Sequence, residues 1–175
     1  MWKLMRTSLL LLVLGVTAGG CAGMSQGSPQ TLAPAATVQA QIDEARRQFA
    51  DAYQRGDATA LSELFAPDAA FTGTISPGWR EGRDAIRENW ARVFREYPKS
   101  QITFTAPKVR FYNTAPDGRV TDQSVAVETG LFDMRMVNVA GETVLTPGKY
   151  SLIRVMNKGR WEIVNYQTGP VPGQR

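Results

Sequence analysis

The hydrophobic period of this chain changes once, at Pro98, and that change limits the folds open to it. Before Pro98 the apolar residues recur every three or four positions. Residues 37 to 55 carry Val38, Ile42, Ala45, Phe49, Ala52 and Tyr53, the spacing of one buried helix face. Thr37 is placed to cap this helix and Gly56 to stop it. Asp57 then caps a short second helix, ATALSELFA, which Pro67 ends. Residues 69 to 75 read as a short strand and Pro77-Gly78 as a turn. A third helix from Arg83 to Tyr97 presents Ile86, Trp90, Val93, Phe94 and Tyr97 on one side. After Pro98 the pattern is that of strands, over 101–112, 120–138, 142–157 and 160–168. Pro116-Asp117-Gly118, Ala140-Gly141 and Lys158-Gly159 form the turns between them. The plan is α+β: three N-terminal helices packed on one face of a curved antiparallel sheet.

The strands are apolar on both faces. Within 123–136, Val125, Val127 and Leu131 alternate with Ala126, Phe132, Met134 and Met136. Helices cover only one face, so the other is expected to meet a partner subunit, and a homodimer is expected.

Composition removes several classes of chemistry. The chain has no histidine, which excludes Ser-His-Asp and Cys-His catalysis and the commonest metal ligand. No Gly-rich phosphate loop or cysteine cluster occurs, so neither a metal nor another cofactor is expected. The formal charge is +4, and no basic run interleaved with aromatics suggests nucleic acid as a partner.

The N-terminus bears on location. Lys3 and Arg6 precede an apolar run, Leu9 to Val16, that is too short to span a bilayer. Ala18, Gly19 and Gly20 lead into Cys21, the only cysteine. Small residues directly before a cysteine resemble the lipobox of bacterial lipoproteins. The resemblance implies a signal peptide over 1–20, a lipidated Cys21 and a tether reaching residue 36. A domain over 37–172 follows. An ordinary signal peptide with an incidental Cys21 is the alternative. Under the lipoprotein reading the membrane is a partner through lipid on Cys21, and the protein faces the periplasm from the bacterial cell envelope. Ala22 rather than Asp after the cysteine points to the outer membrane over the inner.

Four stretches, in order, resemble the nuclear transport factor 2-like superfamily. They are FADAYQRGDATALSELFAPDAAF (49–71), EGRDAIRENW (81–90), TPGKYSLIRV (146–155) and GRWEIVNYQTGPVP (159–172). The likeness is narrower to its SnoaL-like and SgcJ/EcaC-like group, and to the related association domain of calmodulin-dependent kinase II. It implies a cone-shaped fold with a pocket between helices and sheet. It does not imply one activity, because this fold serves isomerases, lyases, binding modules and assembly modules. Two catalytic positions of the ketosteroid isomerases of this fold are occupied by Phe49 and Gly73, neither of which can act as acid or base. The histidine run common after the final Trp-x-Ile-Val of the SgcJ/EcaC-like group is here Asn165, Tyr166, Gln167 and Thr168.

Six side chains are candidates for ligand binding. Asn165 and Gln167, by strand alternation, share a face with Trp161 and Ile163 and would offer amides to a ligand, or else satisfy a strand end or dimer seam. Tyr53 follows Phe49 on the inward helix face, as a pocket donor or a core tyrosine. Trp90 is a pocket wall or core residue. Glu128 and Asp133 lie on opposite faces of their strand, and Glu128 is the better base if its face is the concave one. Arg154, between Leu152 and Met156, would bind a carboxylate or a facing subunit. The sequence therefore supports a lipid-anchored protein binding a small, largely apolar molecule in a conical pocket. A SnoaL-like lyase or isomerase, and a dimeric assembly module with a vestigial pocket, are the alternatives. Whether the chain is an enzyme stays open at this level. Mass spectrometry of membrane-extracted protein should find an N-terminal acylated Cys21; a mature chain beginning elsewhere would exclude the anchor.

Overall fold

A computed structural model describes residues 35–171 of the chain. Cys21, the signal peptide and most of the tether lie outside the described residues. The elements run α1 (Ala35–Arg55), α2 (Ala58–Ser62), β1 (Phe65–Gly73), β2 (Ser76–Glu81), α3 (Arg83–Glu96), β3 (Lys99–Tyr112), β4 (Val125–Val137), β5 (Thr143–Asn157) and β6 (Arg160–Pro170). They form the cone-shaped nuclear transport factor 2-like fold, with one six-stranded sheet in the order β2-β1-β6-β5-β4-β3.

Two features differ from the sequence expectation. The strand expected between α2 and α3 is one half of a β-hairpin, β1–β2, whose second strand was not expected, so the three helices do not form one N-terminal block. That second strand contains Pro77-Gly78, read above as only a turn. Pro77 is tolerated there because β2 is an edge strand, where a missing N–H breaks no ladder. The sheet is also mixed, since β1 runs parallel to β6. Hydrogen-bond pairing between segments nearly a hundred residues apart leaves no local signal.

Local chemistry explains the elements. Asp57 caps α2, its Oδ1 accepting from the Ala60 N–H at 2.9 Å. Lys158 and Gly159 both have positive φ, the turn conformation whose twist suits a two-residue hairpin, and join β5 to β6. The α1 stripe and Ile86, Trp90, Val93 and Phe94 of α3 cover one sheet face. On that face β4 presents Ala126, Glu128, Phe132, Met134 and Met136. Val125 and Val127 on the outer face are half-buried, and Leu131 is exposed.

The buried apolar residues form two groups. The larger lies under α1, α2 and α3 and contains Phe49, Tyr53, Phe71, Trp90, Phe132 and Tyr166. The smaller lies under the start of α1 and contains Val38, Ile42, Val120, Ala126 and Trp161. Gly148 makes room for the larger group: a Cβ there would overlap the Phe132 ring, which crosses the β5 backbone. Gly148→Ala is therefore expected to lower stability by about 1–3 kcal/mol through overpacking. Urea denaturation would measure this, and an unchanged midpoint would show that the ring moves aside freely.

Candidate functional site

Among the described residues the buried charged side chains Glu128 and Arg154 lie together, while a third, Glu162, pairs with Arg160. Glu128 projects from β4 towards α1 and is fully buried. Its Oε1 accepts from Arg46 Nε at 2.6 Å and from the Tyr150 hydroxyl at 2.8 Å. Its Oε2 faces Arg154 Nε at 3.7 Å, an ion pair without a hydrogen bond. Arg154 comes from β5 and is 1 % exposed. Arg46 comes from α1, where its Nη1 also donates to Asp43 at 2.8 Å. Three elements thus converge on one carboxylate.

The environment sets the protonation of each group. Burial in apolar surroundings lowers the pKa of Arg154, and the neighbouring Glu128 charge only partly offsets this. For Arg46 burial acts in the same direction, but the hydrogen bond and charge of Glu128 outweigh it and the pKa rises. Tyr150 is shifted upwards, first by burial and then by the Glu128 charge, so it serves as a hydroxyl donor. Some polar atoms of this cluster have no hydrogen-bond partner among the described residues: Arg46 Nη2, Arg154 Nε and Nη1, and Glu128 Oε2.

The interior of the cone is filled by aromatic rings. Tyr53 meets Trp90 and Phe94 edge-on at centroid distances of 5.5 and 5.3 Å. Phe71 lies 5.2 Å from Trp90 and 5.4 Å from Tyr166. Phe49 meets Tyr166 at 5.5 Å. The Tyr53 hydroxyl donates to the Met134 sulfur, and burial raises its pKa. Tyr53 and Trp90 are therefore packed core residues. Space remains at the side of the cone, in a cleft of about 510 Å³ between α1 and β3. Asp43, Arg46, Ala50, Ile102, Phe104 and Pro107 are among its walls. Phe104 also packs against Tyr150 at 5.0 Å, which connects the cleft to the charged cluster.

Glu128 and Arg154 come together, as residues of the concave face. Asn165 and Gln167 do not join them. In β6 an extra residue is accommodated where Ile153 pairs with Asn165 but Arg154 pairs with Ile163. This bulge reverses the alternation. Tyr166 turns into the core, while Asn165 and Gln167 move to the outer face, opposite Ile153 and Ser151. The shared face with Trp161 and Ile163 is corrected accordingly. Sequence reasoning passed over Arg46 and Tyr150. Arg46 left a trace: it stands on the inward stripe between Ile42 and Phe49, where a solvent-facing charge has no place. Tyr150 left one too, since it lies two and four residues before Leu152 and Arg154 on one strand face.

The SnoaL-like domain model matches residues 42–172. The chain belongs to the SnoaL-like domain family. This SnoaL-like domain is similar to several solved structures. A nuclear transport factor 2-like superfamily protein from Salmonella enterica is 21% identical, with a TM-score of 0.66 over 79% of this chain and 95% of that one. A candidate aromatic ring hydroxylase from Novosphingobium aromaticivorans is 20% identical, with a TM-score of 0.68 over 80% and 92%. A candidate calcium/calmodulin dependent protein kinase II association domain from Xanthomonas campestris is 21% identical, with a TM-score of 0.60 over 82% and 96%. These likenesses establish the fold. No curated protein matches the sequence.

Glu128 is the only carboxylate in contact with Arg154 among the described residues. Its neutralisation would leave two guanidinium groups facing each other in a dry seam. Glu128→Gln is expected to cost about 3–5 kcal/mol. Tyr150→Phe, which deletes one hydrogen bond to a charged group, is expected to cost about 1.5–3 kcal/mol. Denaturant titration of both variants checks the order; a Glu128→Gln protein as stable as the parent would show that the arginines are held by other means.

Proposed function

We propose that this is a lipid-anchored envelope protein whose SnoaL-like domain binds a small, largely apolar molecule without turning it over. The observation that carries the binding reading is the α1–β3 cleft, where Ala50, Ile102, Phe104 and Pro107 stand with Asp43, Arg46 and Arg47, and where Arg46 links the wall to the buried Glu128–Arg154 pair. Its volume falls in the range of small-molecule sites, which typically combine apolar walls with a few fixed polar groups. The site lies beside the cone's filled interior rather than within it.

Binding is preferred to turnover on the chemistry of the residues present. Tyr53 is bonded inside the core, with its pKa raised by burial. Glu128 already accepts two hydrogen bonds and is out of reach of solvent. A general base needs an open path to the proton it removes, and Glu128 has its paired oxygen occupied by Arg46 and Tyr150. The anchor rests on Cys21. Among the described residues no helix is long and apolar enough to cross a membrane.

The filled cone and the outer sheet face support a second reading, a homodimeric assembly module. Val125, Val127, Ile153 and Val155 form a half-buried stripe on that face, and Leu131 is exposed further along β4. Asn165 and Gln167 lie beside this stripe, where they would face a partner subunit. Native mass spectrometry of the full chain, extracted in mild detergent, separates the readings. Binding predicts a released small molecule of defined mass. A dimer with no bound small molecule would overturn binding in favour of assembly, and a bare monomer would overturn both.

A further inference from the structure

The large apolar side chains exposed on the domain cluster at one end of it. Val139, Val144 and Leu145 stand where β4 turns into β5. Val139 is 80% exposed and Leu145 70%, the two highest values among such residues. Val144 lies opposite buried Met136 on the concave face, and Leu145 lies opposite Arg135 on the outer face. Val139 is in the turn itself, where the outermost residues, Val139, Ala140 and Gly141, carry no polar side chain. The end of the hairpin is thus apolar on both faces and at its tip. A flat protein surface laid on one face would cover only part of this set. A medium that surrounds the hairpin covers all of it.

The turn also leaves few polar groups to be stripped of water. Asn138 Oδ1 accepts from the N–H groups of Ala140 at 3.0 Å and Glu142 at 2.9 Å. The Gly141 N–H donates to the Asn138 carbonyl, and the Asn138 N–H to the Glu142 carbonyl, both at 3.0 Å. Gly141, with a φ of 86°, permits this closed loop. A turn whose donors are paired internally loses little on leaving water, the condition that backbone must meet in lipid. Glu142 is the one charged side chain of the turn. It sits at the base, where Asn138 Nδ2 donates to its carboxylate at 2.7 Å.

Cations stand just behind the tip. Lys99 pairs across β3 and β4 with Val137, and Arg135 stands opposite Leu145; both are exposed. Among the described residues neither is in an ion pair. Against Glu142 they leave one net positive charge. Further back on the outer face, Asp133 and Lys149 are of opposite sign and do not alter it.

We propose that the β4–β5 tip inserts into the surface of an anionic lipid bilayer, with Val139, Val144 and Leu145 among the acyl chains and Lys99 and Arg135 at the level of the phosphates. An apolar end ringed by cations matches the two layers of such an interface. The contact uses none of the α1–β3 cleft and stands apart from the small-molecule reading. It is also separate from a lipid on Cys21, which would hold the chain near a membrane without placing this tip in it.

The test attaches a nitroxide at Ala140→Cys in the full chain and reads its accessibility to oxygen and to a water-soluble nickel complex. The parent chain, treated alike, sets the signal from Cys21. In vesicles of phosphatidylethanolamine and phosphatidylglycerol, oxygen should reach the label better than nickel does, and in buffer the order should reverse. A label at Thr114→Cys, in the loop at the other end of β4, should remain in water throughout. Val139→Asp and Leu145→Asp, added together to the Ala140→Cys chain, should keep the domain folded, since both positions are exposed, and return the label to water. Exchanging phosphatidylglycerol for phosphatidylcholine should lower the ratio of inserted to free label about fivefold, the worth of one net positive charge. A label that nickel still reaches in vesicles would overturn the proposal, as would one that stays in the bilayer after the double substitution. An unchanged ratio on lipid exchange would overturn the headgroup contact. A label shielded from both reagents would assign the tip to a protein partner and overturn the lipid surface.

Discussion

Glu128 is the point on which the domain closes. It stands where the two apolar groups meet, and its carboxylate joins α1 to β4 and β5 through Arg46, Tyr150 and Arg154. An all-apolar seam would pack with less desolvation cost, because taking a carboxylate and a guanidinium out of water is expensive. The cluster is nonetheless only partly satisfied, with a long contact between Glu128 and Arg154 and several unpaired atoms around it. Buried polar groups of this kind are high-stakes features, costly when incomplete. Arg46 carries the cluster to the wall of the α1–β3 cleft.

The aromatic filling of the cone follows from the same geometry. Phe49, Tyr53, Phe71, Trp90, Phe94 and Tyr166 come from four different elements and meet mostly at tilted or edge-on angles. Such contacts add to the burial of large apolar surfaces and fix the placement of α1 and α3 on the sheet. The consequence is that one fold, widely used for central pockets, here leaves its room at the flank. Family membership establishes the scaffold, while the function has to be argued from the side chains of this chain.

The outer face obeys a different rule. Its valines and Ile153 are half-buried, and among the described residues no helix covers them. Polar and charged side chains such as Asp133, Arg135 and Lys149 flank the stripe. The contrast between an apolar centre and a polar surround is the pattern of surfaces that pair with another surface.

Much of the fold was legible in the sequence because it is local. The α1 stripe, the Asp57 cap, the Lys158-Gly159 turn and the alternation in β4 each depend on residues within a few positions of one another. Alternation in β4 even identified Ala126, Phe132, Met134 and Met136 as one face, and separated Glu128 from Asp133. What sequence could not reach depends on partners far along the chain. The parallel β1–β6 pairing and the edge strand β2 exist because distant segments meet. The bulge in β6 reverses which residues face the core, so Asn165 and Gln167 leave the concave side and Tyr166 enters it. Period-two reasoning assumes an unbroken ladder and fails by one residue beyond any bulge. The charged cluster is the clearest case. The sequence put Glu128 on the strand face of Ala126, Phe132, Met134 and Met136, and Arg154 on that of Leu152 and Met156, without deciding which faces are concave. Only the tertiary structure decided that these faces meet, because three elements had to pack before a single carboxylate could lie within reach of Arg46, Tyr150 and Arg154.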